Sequence, residues 1–368
     1  MPGFTCARAI ETVGLSGFFD SFKTEQHSAV SNSPAWLLRL ISGYIQLSRA
    51  DCFPECFNQC DIDFISGHGV TEGLHAYKAQ TSVAVFFVTL HRGHQVLLEQ
   101  TLQWARQLAV PSAMLTFEPM PREFLQAANP PARLTNFRER WRLLEPVGLD
   151  ALIVLRFNDR LRSLTGEQFV EILTRDLAVR GLVVGHDFRF GKAGQADAAF
   201  LAEAGRRHGF EVAVVEPVAA EGERVSSTVI RDALAEGKFD QARALLGRSY
   251  SIRGRVVPGA KLGRQLGFPT ANIRVRRRKL PLGGIYAVRV HGITNQAMGG
   301  VASLGTRPTV DGVEPLLETF VFDFSGDLYG RELEIEFVAH LRNEERFESL
   351  DALVAQMRID ERRARDFL

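Results

Sequence analysis

The feature that most constrains the fold is an alternation of strand and helix signals between residues 80 and 247. Short apolar runs such as ALIVLRF at 151–157 are typical of strands that are buried on both faces. They alternate with stretches whose apolar residues have helical spacing, such as HQVLLEQTLQWARQLA at 94–109. Repeated β–α units predict a mostly parallel sheet that is covered by helices on both faces. In such sheets, ligands bind beyond the carboxyl ends of the strands.

Polar residues mark where several helices begin. Asn136 is a candidate N-cap for one helix, and Gly148 is a candidate stop for the same helix. Thr165 and Gln168 have the spacing of a capping box. Ser349 is a candidate N-cap for the last helix of the chain.

After residue 247 the pattern changes to short β-rich runs that Gly and Pro separate. One example is GGIYAVRVHG at 283–292. Several short strands with such turns predict an antiparallel barrel. The stretch at 349–367 predicts one helix that closes the chain.

We therefore predict two domains in the 368 residues, an α/β domain at 71–247 and a β-barrel domain at 248–368. The segment 1–70 is atypical, and we assign it no fold and no role. It holds all four cysteines, which are Cys6, Cys52, Cys56 and Cys60. The spacing of the last three resembles a metal-binding pattern only loosely, because no second pair of ligands accompanies them. We therefore favour incidental cysteines over a metal site.

Charge and composition argue against several classes of protein. The net charge of +1 gives no support to a bulk nucleic-acid or membrane binder. The chain has no run of 18 apolar residues, and its start lacks the pattern of a secretory signal. The cysteine-free main body fits a reducing compartment, so we expect a cytoplasmic protein. The basic run RVRRRKL at 274–280 would suit a nucleic-acid-binding module, but it has no interleaved aromatics, and we favour a solvated loop.

Two histidines stand where a strand gives way to a helix, in HRGH at 91–94. Free N–H groups and the helix dipole attract anions at such a position. The imidazoles of His91 and His94 can donate hydrogen bonds to a triphosphate, and Gly93 allows a close backbone approach. Two ordinary surface histidines are an equally good interpretation of this motif alone.

Two further clusters follow later strands of the same domain. Asp187, in GHDFRFG at 185–191, can accept hydrogen bonds from a ligand hydroxyl or base amine, although such loops are also common turns. In RVSSTVIR at 224–231, Ser227 and Arg231 share one side of a helix by their i, i+4 spacing. That pair suits a phosphate group, and an ordinary serine cap is the alternative.

The barrel half contains a glycine-rich stretch, GAKLGRQLGFPTANI at 259–273. Its glycines at 259, 263 and 267 predict a loop that can lie against phosphates. Thr270 and Asn272 are two residues apart and would face the same side of an extended chain. Both offer the hard oxygen ligands that suit Mg²⁺. Glu318 is a carboxylate embedded in the apolar strand LLETFVFDF, where it needs a partner or a function.

Taken together, the order H-x-G-H, G-x-D-F, S-S-T-x-x-R and P-T-A-N resembles the bacterial bifunctional riboflavin kinase/FMN adenylyltransferase family, also called FAD synthetase. The resemblance covers roughly residues 71 to 368. It implies a Rossmann-like α/β nucleotidyltransferase domain followed by an antiparallel β-barrel riboflavin kinase domain with a C-terminal helix. The implied reactions convert riboflavin to FMN with ATP, and then FMN to FAD with a second ATP.

The resemblance also implies roles for the candidate residues. In the adenylyltransferase half, the ATP phosphates would contact His91, His94, Arg224, Ser227 and Arg231, while Asp187 would lie in the flavin/nucleotide loop. In the kinase half, ATP and Mg²⁺ would be held by Gly259, Gly263, Gly267, Thr270 and Asn272, with Thr270 and Asn272 as the metal ligands. Glu318 would be the general base. The expected partners are the small molecules riboflavin, FMN and ATP, without nucleic acid or membrane, and weak self-association is a further possibility.

One motif departs from the family pattern, which reads G-x-F-D-G-x-H. This chain has VFFVTLH at 85–91, so only Phe87 matches before the histidine. Val88 and Thr89 are β-branched and disfavour the backbone conformations that glycine allows. We therefore expect an impaired adenylyltransferase. The alternative hypothesis is a monofunctional riboflavin kinase whose first domain binds flavin or nucleotide without catalysis.

Overall fold

The computed structural model describes residues 62–66, 69–71, 82–86, 89–259, 262–309 and 312–368. The four cysteines and the motif positions 87 and 88 lie outside the described residues. The interpretation of the cysteines is therefore not tested by the structure.

Seven strands of the first domain form one sheet. They are β1 (Ile62–Ser66), β2 (Gly69–Thr71), β3 (Ser82–Phe86), β4 (Ser112–Glu118), β5 (Ala151–Arg156), β6 (Val179–Gly185) and β7 (Glu211–Val215). Their order across the sheet is β2-β1-β5-β4-β3-β6-β7. The five strands that follow each other in this order as β5, β4, β3, β6 and β7 are parallel. At one edge of the sheet, β1 pairs antiparallel with β5 and β2 pairs antiparallel with β1.

Helices connect the strands of this domain. They are α1 (Arg92–Leu108), α2 (Pro121–Leu125), α3 (Phe137–Leu144), α4 (Asp159–Ser163), α5 (Gly166–Glu171), α6 (Ala198–His208), α7 (Ser227–Ala235) and α8 (Phe239–Leu246). The predicted capping residues are confirmed at Asn136, Thr165 and Gln168. Gly148, with φ at +80°, ends the short 3₁₀ turn that continues α3.

The central strand β3 shows why the sheet needs helices on both faces. Val83 and Val85 pack into an apolar cluster with the α1 residues Leu97 and Leu98. Successive side chains of a strand point to opposite faces. Ala84 and Phe86 accordingly belong to a second cluster, which includes Phe169 of α5 and Leu201 of α6. This double coverage confirms the predicted α/β class.

The second domain is a closed barrel of six antiparallel strands. They are β8 (Ser251–Val257), β9 (Thr270–Ile273), β10 (Gly284–His291), β11 (Met298–Thr309), β12 (Gly312–Val321) and β13 (Glu332–Arg342). Their order is β8-β9-β12-β11-β10-β13, with β13 pairing back onto β8. The short helix α9 (Leu262–Gln265) precedes β9, and α10 (Leu350–Phe367) closes the chain with Ser349 as its N-cap. The predicted barrel and closing helix are therefore confirmed.

The apolar core of the barrel reaches beyond the barrel strands. Ile230 and Leu234 of α7, and Leu245 and Leu246 of α8, belong to the same buried cluster as the barrel interior. The core therefore extends across the predicted boundary at residue 247, which stays a prediction. No helix in the described part of the chain is long and apolar enough to cross a membrane.

A buried arginine ties the barrel to the first domain. Arg277 comes from the basic run at 274–280, yet only 5% of it is exposed. It donates to Tyr250 Oη at 2.7 Å and forms an ion pair with Glu139 of α3. Glu139 also accepts from the backbone N–H of Arg253 in β8 at 3.0 Å. The prediction of a solvated loop is therefore wrong at Arg277, because this side chain is part of the contact between the domains.

Candidate active sites

The two histidines lie at the point of the sheet where the strand order reverses. The chain leaves β3 to form β4 on one side and later forms β6 on the other side. Such a switch point leaves a crevice beyond the carboxyl ends of the strands. His91 is the N-cap residue of α1, with extended backbone and no side-chain cap on the helix. The first turn of α1 therefore faces the crevice where an anion is favoured.

His91 and His94 form a stacked pair inside this crevice. Their ring centroids are 3.7 Å apart with an interplanar angle of 26°. His91 is buried, and burial lowers its pKa from 6.5 to about 4, with Arg231 as a further cause in the same direction. Burial, followed by the neighbouring His91, also lowers the pKa of His94 well below the ordinary value. Both rings are therefore neutral at pH 7, and each carries one N–H that can donate to a phosphate oxygen.

The loop after β6 brings Asp187 to the same crevice. Phe188 stacks on Phe86 at the end of β3 with ring centroids 5.2 Å apart. The exposed Asp187 accepts from Arg224 Nη2 at 3.0 Å. Its charge also partly offsets the fall in the pKa of His91, so the carboxylate lies within electrostatic reach of that ring.

The start of α7 lies along another side of the crevice that contains His91 and His94. Ser226 caps the helix by accepting from the Val229 N–H, which leaves the Ser227 hydroxyl outside the cap. Arg231 Nη1 donates to the Ser227 carbonyl at 3.0 Å, and its Nε donates to the Ala132 carbonyl at 2.6 Å. These two bonds fix the guanidinium beside Ser227, as the i, i+4 spacing predicts.

Thr89 also lies here, beside Ser227, although its sequence context indicates no binding role. Its side chain is 2% exposed, and its hydroxyl lies 2.9 Å from the Ser227 hydroxyl. The two residues are 138 positions apart, so no local pattern could reveal the contact. Its one sequence signal is that a hydroxyl stands where the family pattern has glycine.

A second feature that sequence reasoning missed borders the crevice at the end of β4. Arg133 pairs with Glu118, the last residue of β4, and with Glu123 of α2. Arg140 is fully buried and donates to Thr116 Oγ1 at 2.7 Å. The density of charged residues in LTFEPMPREF, at 115–124, is the available signal for this cluster.

The lowered pKa of His91 predicts a loss of stability in acid. The unfolded chain takes up a proton at this histidine below pH 6.5, whereas the folded chain resists it until about pH 4. Stability from this residue is therefore complete above pH 6.5 and is lost as the pH falls. We expect a loss of about 2 kcal/mol between pH 7.5 and 5, measured by urea unfolding. The dependence should flatten by that amount in His91→Gln and stay unchanged in His208→Gln, an exposed control; equal curves for wild type and His91→Gln would contradict the assignment.

The barrel brings the predicted glycines and polar residues together. A Cβ placed on Gly259 would stand 2.2 Å from Asn272 Nδ2, so the loop lies directly on this side chain. A Cβ on Gly263 would stand 2.3 Å from the Phe268 carbonyl oxygen and 3.4 Å from Thr270 Oγ1. Gly267 has φ at +84°, a conformation that favours glycine. Gly259 and Gly263 thus come close to Asn272 and Thr270 because glycine has no Cβ.

Glu318 belongs to the same group of residues. We call the glycine loop, Thr270, Asn272 and Glu318 together the second crevice. Glu318 stands directly opposite Asn272 in the pairing of β9 with β12. Side chains of directly opposed residues share one face and lie within reach of each other. Glu318 is half-buried rather than buried. Among the described residues, no group of three or more His, Cys, Asp or Glu side chains is placed to hold a metal.

The two crevices define a two-domain transferase with a nucleotidyltransferase-like α/β domain and a kinase barrel. The comparisons with known proteins agree. The family model for FAD synthetase matches residues 75–229, and the model for riboflavin kinase matches residues 246–368. The chain is 42% identical over 282 residues to the bifunctional riboflavin kinase/FMN adenylyltransferase of Escherichia coli K12, covering 76% of this chain and 90% of the relative. The chain belongs to the bifunctional riboflavin kinase/FMN adenylyltransferase family.

Two further matches have similar extent. The enzyme of the same name from Pseudomonas fluorescens is 46% identical over 281 residues, which is 76% of this chain and 90% of the relative. A crystal structure described as a macrolide-efflux protein from Streptococcus pneumoniae has a TM-score of 0.66 and 32% identity. It covers 78% of this chain and 95% of its own. This match shows that the two chains share the same fold.

Proposed function

We propose that the chain phosphorylates riboflavin with ATP to give FMN, and then adenylylates FMN with a second ATP to give FAD and pyrophosphate. The observation that carries the first step is the pairing of Glu318 with Asn272 beneath the Gly259 loop. It brings a candidate base, a candidate metal ligand and a phosphate loop to one place. The presence of both family domains does not favour the monofunctional alternative.

In the kinase half, Glu318 takes the proton of the riboflavin 5′-hydroxyl as that oxygen attacks the γ-phosphorus of ATP. The new O–P bond forms while the bond to ADP breaks. Thr270 Oγ1 and Asn272 Oδ1 are hard oxygen donors that fit Mg²⁺, which supplies charge neutralisation when it is bound. The loop at Gly259, Gly263 and Gly267 lets backbone groups approach the phosphates.

In the adenylyltransferase half, a phosphate oxygen of FMN attacks the α-phosphorus of ATP and pyrophosphate leaves. Such chemistry requires mainly positioning and charge stabilisation. Arg231 and Ser227 bind the triphosphate from α7, while His91 and His94 donate from the start of α1. Arg224 adds positive charge near Asp187, which contacts the flavin or base.

A two-substrate assay tests the proposal. Riboflavin with Mg-ATP should yield FMN, and continued incubation should yield FAD and pyrophosphate. Because the turn before His91 departs from the family pattern, we expect FMN to accumulate ahead of FAD. Failure to form FMN would overturn the central proposal, and flavin binding without pyrophosphate release would favour the monofunctional alternative.

The Thr89–Ser227 contact leads to a specific prediction for the second step. A phosphate oxygen that binds the Ser227 hydroxyl has to compete with the Thr89 hydroxyl. Thr89→Val removes that competitor and keeps the side-chain shape. Since a hydrogen bond contributes about 0.5–1.5 kcal/mol, we expect kcat/KM for FMN adenylylation to rise by up to about tenfold. Thr174→Val, which alters a helical threonine of the same domain, should leave the rate unchanged; a fall in Thr89→Val would show that Thr89 itself binds phosphate.

The partners that we propose are small molecules, namely riboflavin, FMN and ATP. The burial of Arg277 supports the absence of a nucleic-acid partner, because it removes one of the basic side chains from the run at 274–280. The cysteine-free sequence after residue 60 supports a reducing, cytoplasmic location.

A further inference from the structure

A polar cavity of about 390 Å³ lies between the two domains, apart from both crevices. Its walls come from Thr135 and helix α3 in the first domain, and from strands β8, β10 and β13 of the barrel. Arg248 stands at the joint between them. A cavity of this volume is large enough for a small ligand.

Donor groups without partners line this cavity. Thr135 is 3% exposed, and within the described part of the chain its hydroxyl has no hydrogen-bond partner. The same holds for Arg248 Nε and Nη2 and for Arg142 Nη1. Buried polar groups normally have partners, because an unpaired one costs about 1–3 kcal/mol. These donors line one cavity, and a ligand with several acceptor oxygens would give them partners.

Each of the three carboxylates that line the cavity already has a basic partner. Glu139 pairs with Arg277, and Glu334 pairs with Arg253. Glu336 bonds to His291 at 2.8 Å.

The cations of the wall are not balanced in the same way. Arg142 has a carboxylate partner in Glu332. Arg248 instead donates to the Ser249 carbonyl at 3.2 Å, and none of the described ion pairs includes it. Burial lowers the pKa of Arg248, yet an arginine side chain keeps its charge in proteins. Arg248 is therefore a cation of the wall that forms no direct ion pair, although Glu139 and Glu334 attract it at longer range.

We propose that this cavity binds a small phosphate-class oxyanion, held by Arg248, Arg142 and Thr135. A tetrahedral oxyanion offers several acceptor oxygens at once, and guanidinium groups bind such anions with paired hydrogen bonds. Arg142 belongs to α3 and Arg248 to the joint with the barrel, so an anion bound to both strengthens the contact between the domains. This inference does not depend on the reactions in the two crevices.

Inorganic phosphate is the probe that tests the proposal on the full chain. Calorimetric titration of the wild type should detect a phosphate site that Arg248→Met weakens by at least about tenfold, through the loss of charge-assisted hydrogen bonds. Arg231→Met serves as the control for phosphate that binds in the adenylyltransferase crevice, and it should keep the cavity site. Equal binding by wild type and Arg248→Met, or a loss that follows Arg231→Met instead, would overturn the proposal.

Thermal unfolding in phosphate-free buffer separates this role from a structural one. Arg248→Met removes a half-buried cation that forms no direct ion pair and has two unpaired N–H groups, so it should melt at or above the wild-type temperature. Added phosphate should then raise the melting temperature of the wild type more than that of the variant. A variant that melts well below the wild type without phosphate would mean that Arg248 serves the fold. Malonate that binds as tightly as phosphate would overturn the assignment to phosphates.

Discussion

Glu318→Gln is expected to lower the rate of FMN formation by about 10²- to 10⁴-fold, the usual contribution of a general base. Gln keeps the size of the side chain and its place opposite Asn272, but it cannot take a proton from the riboflavin hydroxyl. Adenylylation of added FMN should keep its wild-type rate, because that reaction uses residues of the other domain. The two rates are measured separately, with riboflavin and with FMN as the starting substrate.

One control variant and one stability measurement show whether a loss of rate comes from the missing base. Glu345→Gln changes an exposed carboxylate of the same domain and should leave both rates unchanged. Thermal unfolding of Glu318→Gln should match the wild type, because Glu318 is half-buried and the replacement is nearly isosteric. A Glu318→Gln enzyme that forms FMN within tenfold of the wild-type rate would exclude this carboxylate as the base.

Local patterns predicted the fold class because each depends on residues that are close in sequence. The period of two in β3 places Val83 and Val85 on one face and Ala84 and Phe86 on the other, and the sheet buries both faces. The cap at Asn136 depends on a bond to the N–H of Glu139, three residues further on. Such interactions form in the same way wherever the segment is placed, so the sequence alone reveals them.

The candidate residues of both crevices could be named, but several of their contacts could not. His91 and His94 share a helix start, so their proximity follows from spacing. The Thr89–Ser227 bond and the Arg277–Glu139 pair each join residues that are 138 positions apart. Neither pair has a sequence period that links its members, because the contact arises when separate elements pack. The environment of a charged residue is thus the part that sequence predicts least well.

Arg277 illustrates the difference between a residue type and its surroundings. In sequence it is one of several basic residues in a run that resembles a solvated loop. In the structure its guanidinium lies between Glu139 and Tyr250, and it also donates to the Arg133 carbonyl at 3.3 Å. Glu139 is itself engaged in two other bonds, since it accepts from the N–H groups of Asn136 and Arg253. The Glu139 carboxylate therefore caps α3, accepts a hydrogen bond from strand β8 and forms an ion pair with Arg277.

Arg277→Met is accordingly expected to lower the free energy of unfolding by about 3–5 kcal/mol, the cost of leaving a buried ion unpaired. The methionine fills much of the volume but leaves the Glu139 carboxylate without its cation and the Tyr250 hydroxyl without its donor. Urea unfolding followed by circular dichroism measures the change. Arg278→Met, which alters the exposed neighbour, should change stability by no more than about 0.5 kcal/mol.

The double variant Glu139→Gln/Arg277→Met separates the loss of a charge pair from a general packing defect. If the cost arises from the unpaired carboxylate, neutralising Glu139 should restore part of the stability that Arg277→Met loses. If the two single losses simply add, the residues act independently and the ion pair does not hold the domains together. Since Glu139 also accepts from the Arg253 N–H of β8, the double variant keeps a glutamine oxygen for that bond. Recovery therefore reports on the charge pair, and not on the loss of the helix cap or the strand contact.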